Sequence, residues 1–147
     1  MDTLTTEFFR NRMTGGRAFI ATAFRVLAGL TFVATGFMKL SGPAFFAEAF
    51  GSMGIPSSFV TILLLGLLEF VGGLMLLAGL GTRLAALGLS IVMIGASIVN
   101  ALLFLVALPV TIVLFGFMVY LLWAGPGAFA VDNRLAGRFT RAAHQAG

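Results

Sequence analysis

Hydrophobic residues in this chain come in long blocks, and polar positions gather at the joints between them. One block runs from Ala18 to Leu40 and a second from Ser58 to Gly81, while no charged residue occurs between Leu84 and Trp123. About 20 apolar residues rising 1.5 Å each cross the hydrocarbon core of a bilayer, so the first two blocks predict one spanning helix each. The uncharged stretch is about twice that length and must turn once. Pro109 lacks a helical N–H donor and disfavours helix at the residue before it, which places the turn there and predicts spans over 84–104 and 107–124. Between the first two blocks, residues 41–57 (SGPAFFAEAFGSMGIPS) hold Pro43, Pro56 and an aromatic cluster of Phe45, Phe46 and Phe50 around Glu48. Too few apolar residues are present to span, and the segment predicts a short amphipathic helix on the membrane surface, closed by a Gly51–Pro56 turn. The expected architecture is therefore all-α, a single integral membrane four-helix bundle with that short helix in its first external loop and a polar tail over 125–147.

Composition agrees with this pattern. The chain of 147 residues is 60% hydrophobic and 10% charged, whereas soluble domains carry about 25% charged residues. A net charge of +4 and a pI of about 11.2 would point to nucleic acid in a soluble protein. Here the cations sit at helix ends, where membrane orientation and anionic lipid headgroups account for them, so no nucleic-acid partner is expected. Arg10, Arg12, Arg17, Arg83, Arg134, Arg138 and Arg141 fall on one side of the predicted bundle and Lys39 on the other. The positive-inside rule then places both ends of the chain in the cytoplasm. Basic residues before the first block echo a secretory signal, but the block is long and no small-residue cleavage pattern closes it, so it is read as a retained span. Residues 5–9 are read as a short interfacial turn. The absence of cysteine excludes disulfides, iron–sulfur ligation and dithiol exchange by this chain. The single histidine, His144, lies in the tail, which excludes bis-histidine haem within the bundle, and no metal site is expected.

Candidate chemistry is confined to a few intramembrane polar groups. Glu69 sits near the middle of the second block, where an ionised carboxylate costs about 2.5 kcal/mol or more, so it should face protein or a cavity. On the first helix Arg25, Gly29, Phe32, Gly36 and Lys39 share one face, because each residue turns the helix by about 100°. Gly66 and Gly73 flank Glu69 at helical spacing, and glycines of this kind permit close helix approach. Counted from the same side, Arg25 lies about 10 Å deep and Glu69 about 16 Å deep. The expected centre is therefore an Arg25–Glu69 pair, joined directly or through a polar ligand, with Arg25 donating and Glu69 accepting or relaying a proton. Read purely structurally, the same pair fixes helix register. Lys39, Asn100 and Tyr120 are the further candidates for ligand contact. Lys39 doubles as an end anchor, and Tyr120 with Trp123 stands where aromatic rings anchor at the headgroups.

Three motifs, in order, resemble those of DoxX-like membrane proteins: RVLAGLTFVATGFMKL from Arg25 to Leu40, LLEFVGGLMLLAGLGTRLAAL around Glu69, and GPGAFAVD from Gly125 to Asp132. The resemblance spans residues 24–135 and implies a four-helix protein of the bacterial plasma membrane. Some members of that family are linked to sulfur oxidation or thiosulfate:quinone oxidoreduction, and others to oxidative-stress complexes. Two departures stand out: Ala130 replaces a usual serine, and Asn100 stands where many members carry histidine in or after the third helix. The resemblance implies a subunit of a quinone- or sulfur-linked redox system, with quinone as the candidate ligand and no covalently bound cofactor. Membrane lipid, a redox protein and a second copy of the chain are the expected partners. A small proton or solute transporter and a scaffold without its own activity are the alternative readings.

Overall fold

A computed structural model describes residues 16–132. The turn expected at 5–9, the tail arginines Arg134, Arg138 and Arg141, and His144 lie outside the described residues. Among the described residues five helices follow one another: α1 (Gly16–Ser41), α2 (Pro43–Ser52), α3 (Phe59–Ala78), α4 (Thr82–Leu103) and α5 (Leu108–Ala124). α1, α3 and α4 are long and apolar enough to cross a membrane, and α5 is a shorter apolar helix of 17 residues. The helix ends follow the edges of the hydrophobic blocks to within a few residues, because the polar joints are where a chain can leave the hydrocarbon.

The helix ends show why the chain breaks where it does. Ser58 caps α3, its hydroxyl accepting from Thr61 N–H at 3.2 Å, so an otherwise orphaned donor is satisfied. At the far end Gly79 takes a left-handed conformation (φ 67°), and the N–H groups of Gly79 and Leu80 return to the carbonyls of Leu76 and Met75. This is a Schellman closure, which glycine enters without steric penalty. Pro109 lies in the first turn of α5, where a helix needs no N–H from it. α2 has no buried residue and packs against the start of α3.

The four long helices form a ring in the order α1, α3, α4, α5. Small or flexible side chains fill the centre, among them Ala21, Ala28, Phe32, Leu76, Leu89 and Met118. Exposed leucine, isoleucine, valine and phenylalanine cover the outside, as a lipid-facing surface requires. The tightest seam lies between antiparallel α1 and α3. Gly29 faces Gly73, and a Cβ on Gly36 would stand 2.5 Å from Phe70 N and 2.8 Å from the Gly66 carbonyl. Backbone therefore meets backbone, the form of packing that works between helices when lipid competes for apolar side chains. The end of the bundle where α1 begins and α5 finishes is termed proximal, and the α2 end distal.

Candidate functional site

The glycine seam sets the register, and the register decides which charges meet. Side chains on a helix lean toward its N-terminus. In the antiparallel pair, Lys39 on α1 leans back toward Thr35 while Glu69 on α3 leans toward Gly66, so the two converge. Lys39 Nζ donates to Glu69 Oε2 at 2.7 Å, and the Thr35 hydroxyl donates to the same oxygen at 2.9 Å. Both side chains are largely withdrawn from solvent, at 15% and 4% exposure.

Arg25, also on α1, leans toward the same proximal end, which takes it away from Glu69. Its Nη1 donates to the Pro126 carbonyl at 2.9 Å and lies against Gly79 at the proximal end. Gly79 is about 15 Å along α3 from Glu69 at 1.5 Å per residue. The expected Arg25–Glu69 pairing is therefore corrected: each group has a different partner, because the lean of side chains toward each helix N-terminus carries Arg25 and Glu69 apart in an antiparallel pair. Arg25 instead belongs to a proximal clasp. There the Asp132 carboxylate accepts from Gly81 N–H at 2.8 Å and Thr82 N–H at 3.0 Å, capping α4, and Asp132 N–H donates to the Gly79 carbonyl at 2.9 Å. Thr22 adds a hydroxyl bond to the Ala128 carbonyl at 2.9 Å, so the segment after α5 is tied to both α1 and the α3–α4 turn.

Beside the lysine–glutamate pair, α3 and α4 separate in their distal halves. The helices touch where a Cβ on Gly72 would meet Leu89, and they open where α4 presents Gly95, whose added Cβ would meet nothing within 4 Å. The result is a cavity of about 330 Å³ with Lys39 and Glu69 at one side and Ile62, Leu65, Val92 and Val99 among its walls. Asn100 also lines it, its amide donating to the Thr111 hydroxyl at 3.4 Å across to α5. Ser57 and Thr61 add hydroxyls toward the distal end. Few polar groups converging in an apolar space of this volume is the usual make-up of a small-molecule site.

Of the residues singled out from sequence, Glu69, Lys39 and Asn100 thus share one cavity. Arg25 and Tyr120 stand elsewhere. Tyr120 sits edge-on to Phe24 (centroids 5.4 Å apart) and beside Trp123 (6.4 Å), in an aromatic cluster between α1 and α5. Thr35 and Asp132 were not among the candidates. Thr35 lies one turn before Lys39, so helical spacing marks it as a neighbour, and Asp132 closes the GPGAFAVD motif. Among the described residues, no group of three or more histidine, cysteine or acidic side chains is arranged to hold a metal ion.

Long apolar helices with a lysine–glutamate pair buried between α1 and α3 define an integral membrane protein. The DoxX family model matches residues 20–102, more than half of the chain, and the chain belongs to the DoxX family. The matched region carries Lys39, Glu69, Asn100 and most of the cavity wall. No curated protein and no solved structure matches the chain.

Proposed function

We propose that this protein binds a membrane-soluble molecule with a carbonyl-bearing head, of the quinone class, as the membrane subunit of a quinone- or sulfur-linked redox system. The observation that carries this reading is the cavity in which Lys39 and Glu69 face apolar walls. The donor set fits such a head: the Lys39 ammonium and the Asn100 amide can donate to carbonyl oxygens, and Glu69 can accept from a hydroxyl. A quinone, when bound, would supply two-electron, two-proton chemistry, accepting both on reduction to the quinol. Glu69 is placed to hold or release a proton at the head, and Thr35 and Lys39 keep its carboxylate aimed. The chain has no cysteine and its one histidine is in the tail, so electrons come from a partner protein. Under the positive-inside rule the proximal end, with Arg83, faces the cytoplasm of a bacterial plasma membrane.

The test is a titration of the full chain in lipid nanodiscs with a tailless benzoquinone, read by equilibrium dialysis. Saturable binding is expected, weakened about tenfold or more, a loss of 1.4 kcal/mol or more, by Glu69→Gln and by Gly95→Phe. The second variant fills the cavity from a position with open space above its Cα. Absence of saturable binding to the unaltered protein refutes the reading. Proton flux into liposomes that depends on Glu69 would favour a transporter instead.

A further inference from the structure

A second cavity, also about 330 Å³, lies between α3 and α4 nearer their turn. Its lining includes Leu68, Val71, Gly72, Met75, Leu84 and Gly88, and no ionisable side chain contributes to it. The linings of the two cavities share helix faces and meet at Ile91. On α3 the lining residues Thr61, Leu65, Leu68, Gly72 and Met75 follow one another in steps of three or four, as do Leu84, Gly88, Ile91, Gly95 and Val99 on α4. Steps of that size keep each set on one helix face. Ile91 lines both cavities and joins them. Toward the distal end the first cavity is lined by Phe50, Ile55 and Pro56 of the α2 region and by Phe104 after α4, and toward the turn it adjoins the second cavity at Ile91.

We infer that the ligand is an amphiphile with one flexible hydrocarbon tail, its head held at Lys39 and Glu69 and its tail laid along the apolar α3–α4 groove past Ile91 to Met75 and Leu84. This deepens the proposed function and rests on its head site. The occupant follows from continuity and from the change in chemistry along the groove, which is polar at one end and wholly apolar at the other. From Glu69 to Met75 the path is about 9 Å, at 1.5 Å per residue. Gly88 leaves it open, since a Cβ there would meet only Leu68 Cδ1 at 3.9 Å. A tail leaving lipid for this groove gains packing contacts rather than hydrophobic burial, so its signature is position more than affinity.

The test uses the full chain in nanodiscs and a benzoquinone whose decyl tail ends in a diazirine, with photo-adducts mapped by peptide mass spectrometry. Adducts are expected on residues 68–75 and 84–88, displaced by excess decylubiquinone. Gly88→Leu, and independently Leu84→Trp, should cut them about fivefold by filling the packing space while leaving binding of the tailless benzoquinone unchanged. Adducts spread over the outer faces of α1 and α5, or groove adducts that excess decylubiquinone does not displace, overturn the inference and make the groove an ordinary lipid contact. A dimer that Gly88→Leu converts to monomer in native mass spectrometry, without groove adducts, assigns the groove to a second copy and also overturns it. If the tailless benzoquinone fails to bind the unaltered protein, the head site itself is refuted and the tail path falls with it. If that compound binds but the tail adducts are misplaced, the tail path is overturned and the head site stands alone.

Discussion

Replacing Lys39 with methionine removes the partner of a carboxylate that is 4% exposed, and the cost follows from the geometry. Two unit charges 2.7 Å apart attract by about 6 kcal/mol at an effective dielectric near 20, most of which offsets desolvation. Removing one member of a buried pair nonetheless costs about 3–5 kcal/mol, because the other charge is left without compensation. Lys39→Met should therefore destabilise the bundle by about 3 kcal/mol. Glu69→Gln should cost less, about 1–2 kcal/mol, since Lys39 is near a helix end and its long stem can carry the ammonium toward the headgroups. The double variant should be less stable than the parent by no more than about 1 kcal/mol, giving a coupling energy of about 3–5 kcal/mol. Denaturation of the four proteins in mixed micelles, followed by far-ultraviolet circular dichroism, measures all terms of the cycle. Benzoquinone binding should not return in the double variant even where stability does, which separates holding the fold from holding a ligand. Additive single effects, or a Lys39→Met protein as stable as the parent, would refute the claim that these two charges are coupled inside the span.

The glycine seam, the proximal clasp and the cavity glycine give further expectations, with stability read from thermal unfolding of purified protein and binding from equilibrium dialysis. Gly36→Leu drives a side chain into the Phe70 backbone and should cost about 3 kcal/mol or more, with loss of quinone binding as the Lys39–Glu69 register slips. Asp132→Ala leaves the N–H groups of Gly81 and Thr82 without their acceptor and should cost about 1–2 kcal/mol, while binding at the distal cavity is kept. Gly95→Ala removes a mid-helix glycine where nothing opposes a methyl group, and should raise stability by about 0.5–1 kcal/mol.

Most of the fold was legible in the order of residues, and particular positions show why. Block length against bilayer thickness is a one-dimensional quantity, so α1, α3 and the turn near Pro109 could be placed by counting. The face of α1 that meets α3 could also be placed, because Gly29 and Gly36 recur at helical spacing. The choice between Arg25 and Lys39 as partner of Glu69 was harder, since both share that face. Depth alone favoured Arg25. What reverses the choice is the lean of side chains toward each helix N-terminus, which in an antiparallel pair carries Lys39 and Glu69 together and Arg25 away. Asn100 and Tyr120 could both be named as candidates for ligand contact, but only packing separates them, Asn100 lining the cavity and Tyr120 standing among Phe24 and Trp123.

The amino-acid sequence by itself determined that the chain is a helical membrane protein with an acid buried at mid-span, because hydrophobic length and the cost of charge in lipid are properties of residues taken in order. Only the tertiary structure decided that Lys39 answers Glu69, that Arg25 serves a clasp with Pro126 and the Asp132 region, and that α3 and α4 part to leave room beside the pair. Those outcomes depend on interhelical register and on where small residues let backbones close or leave a gap, and neither is a property of any one helix.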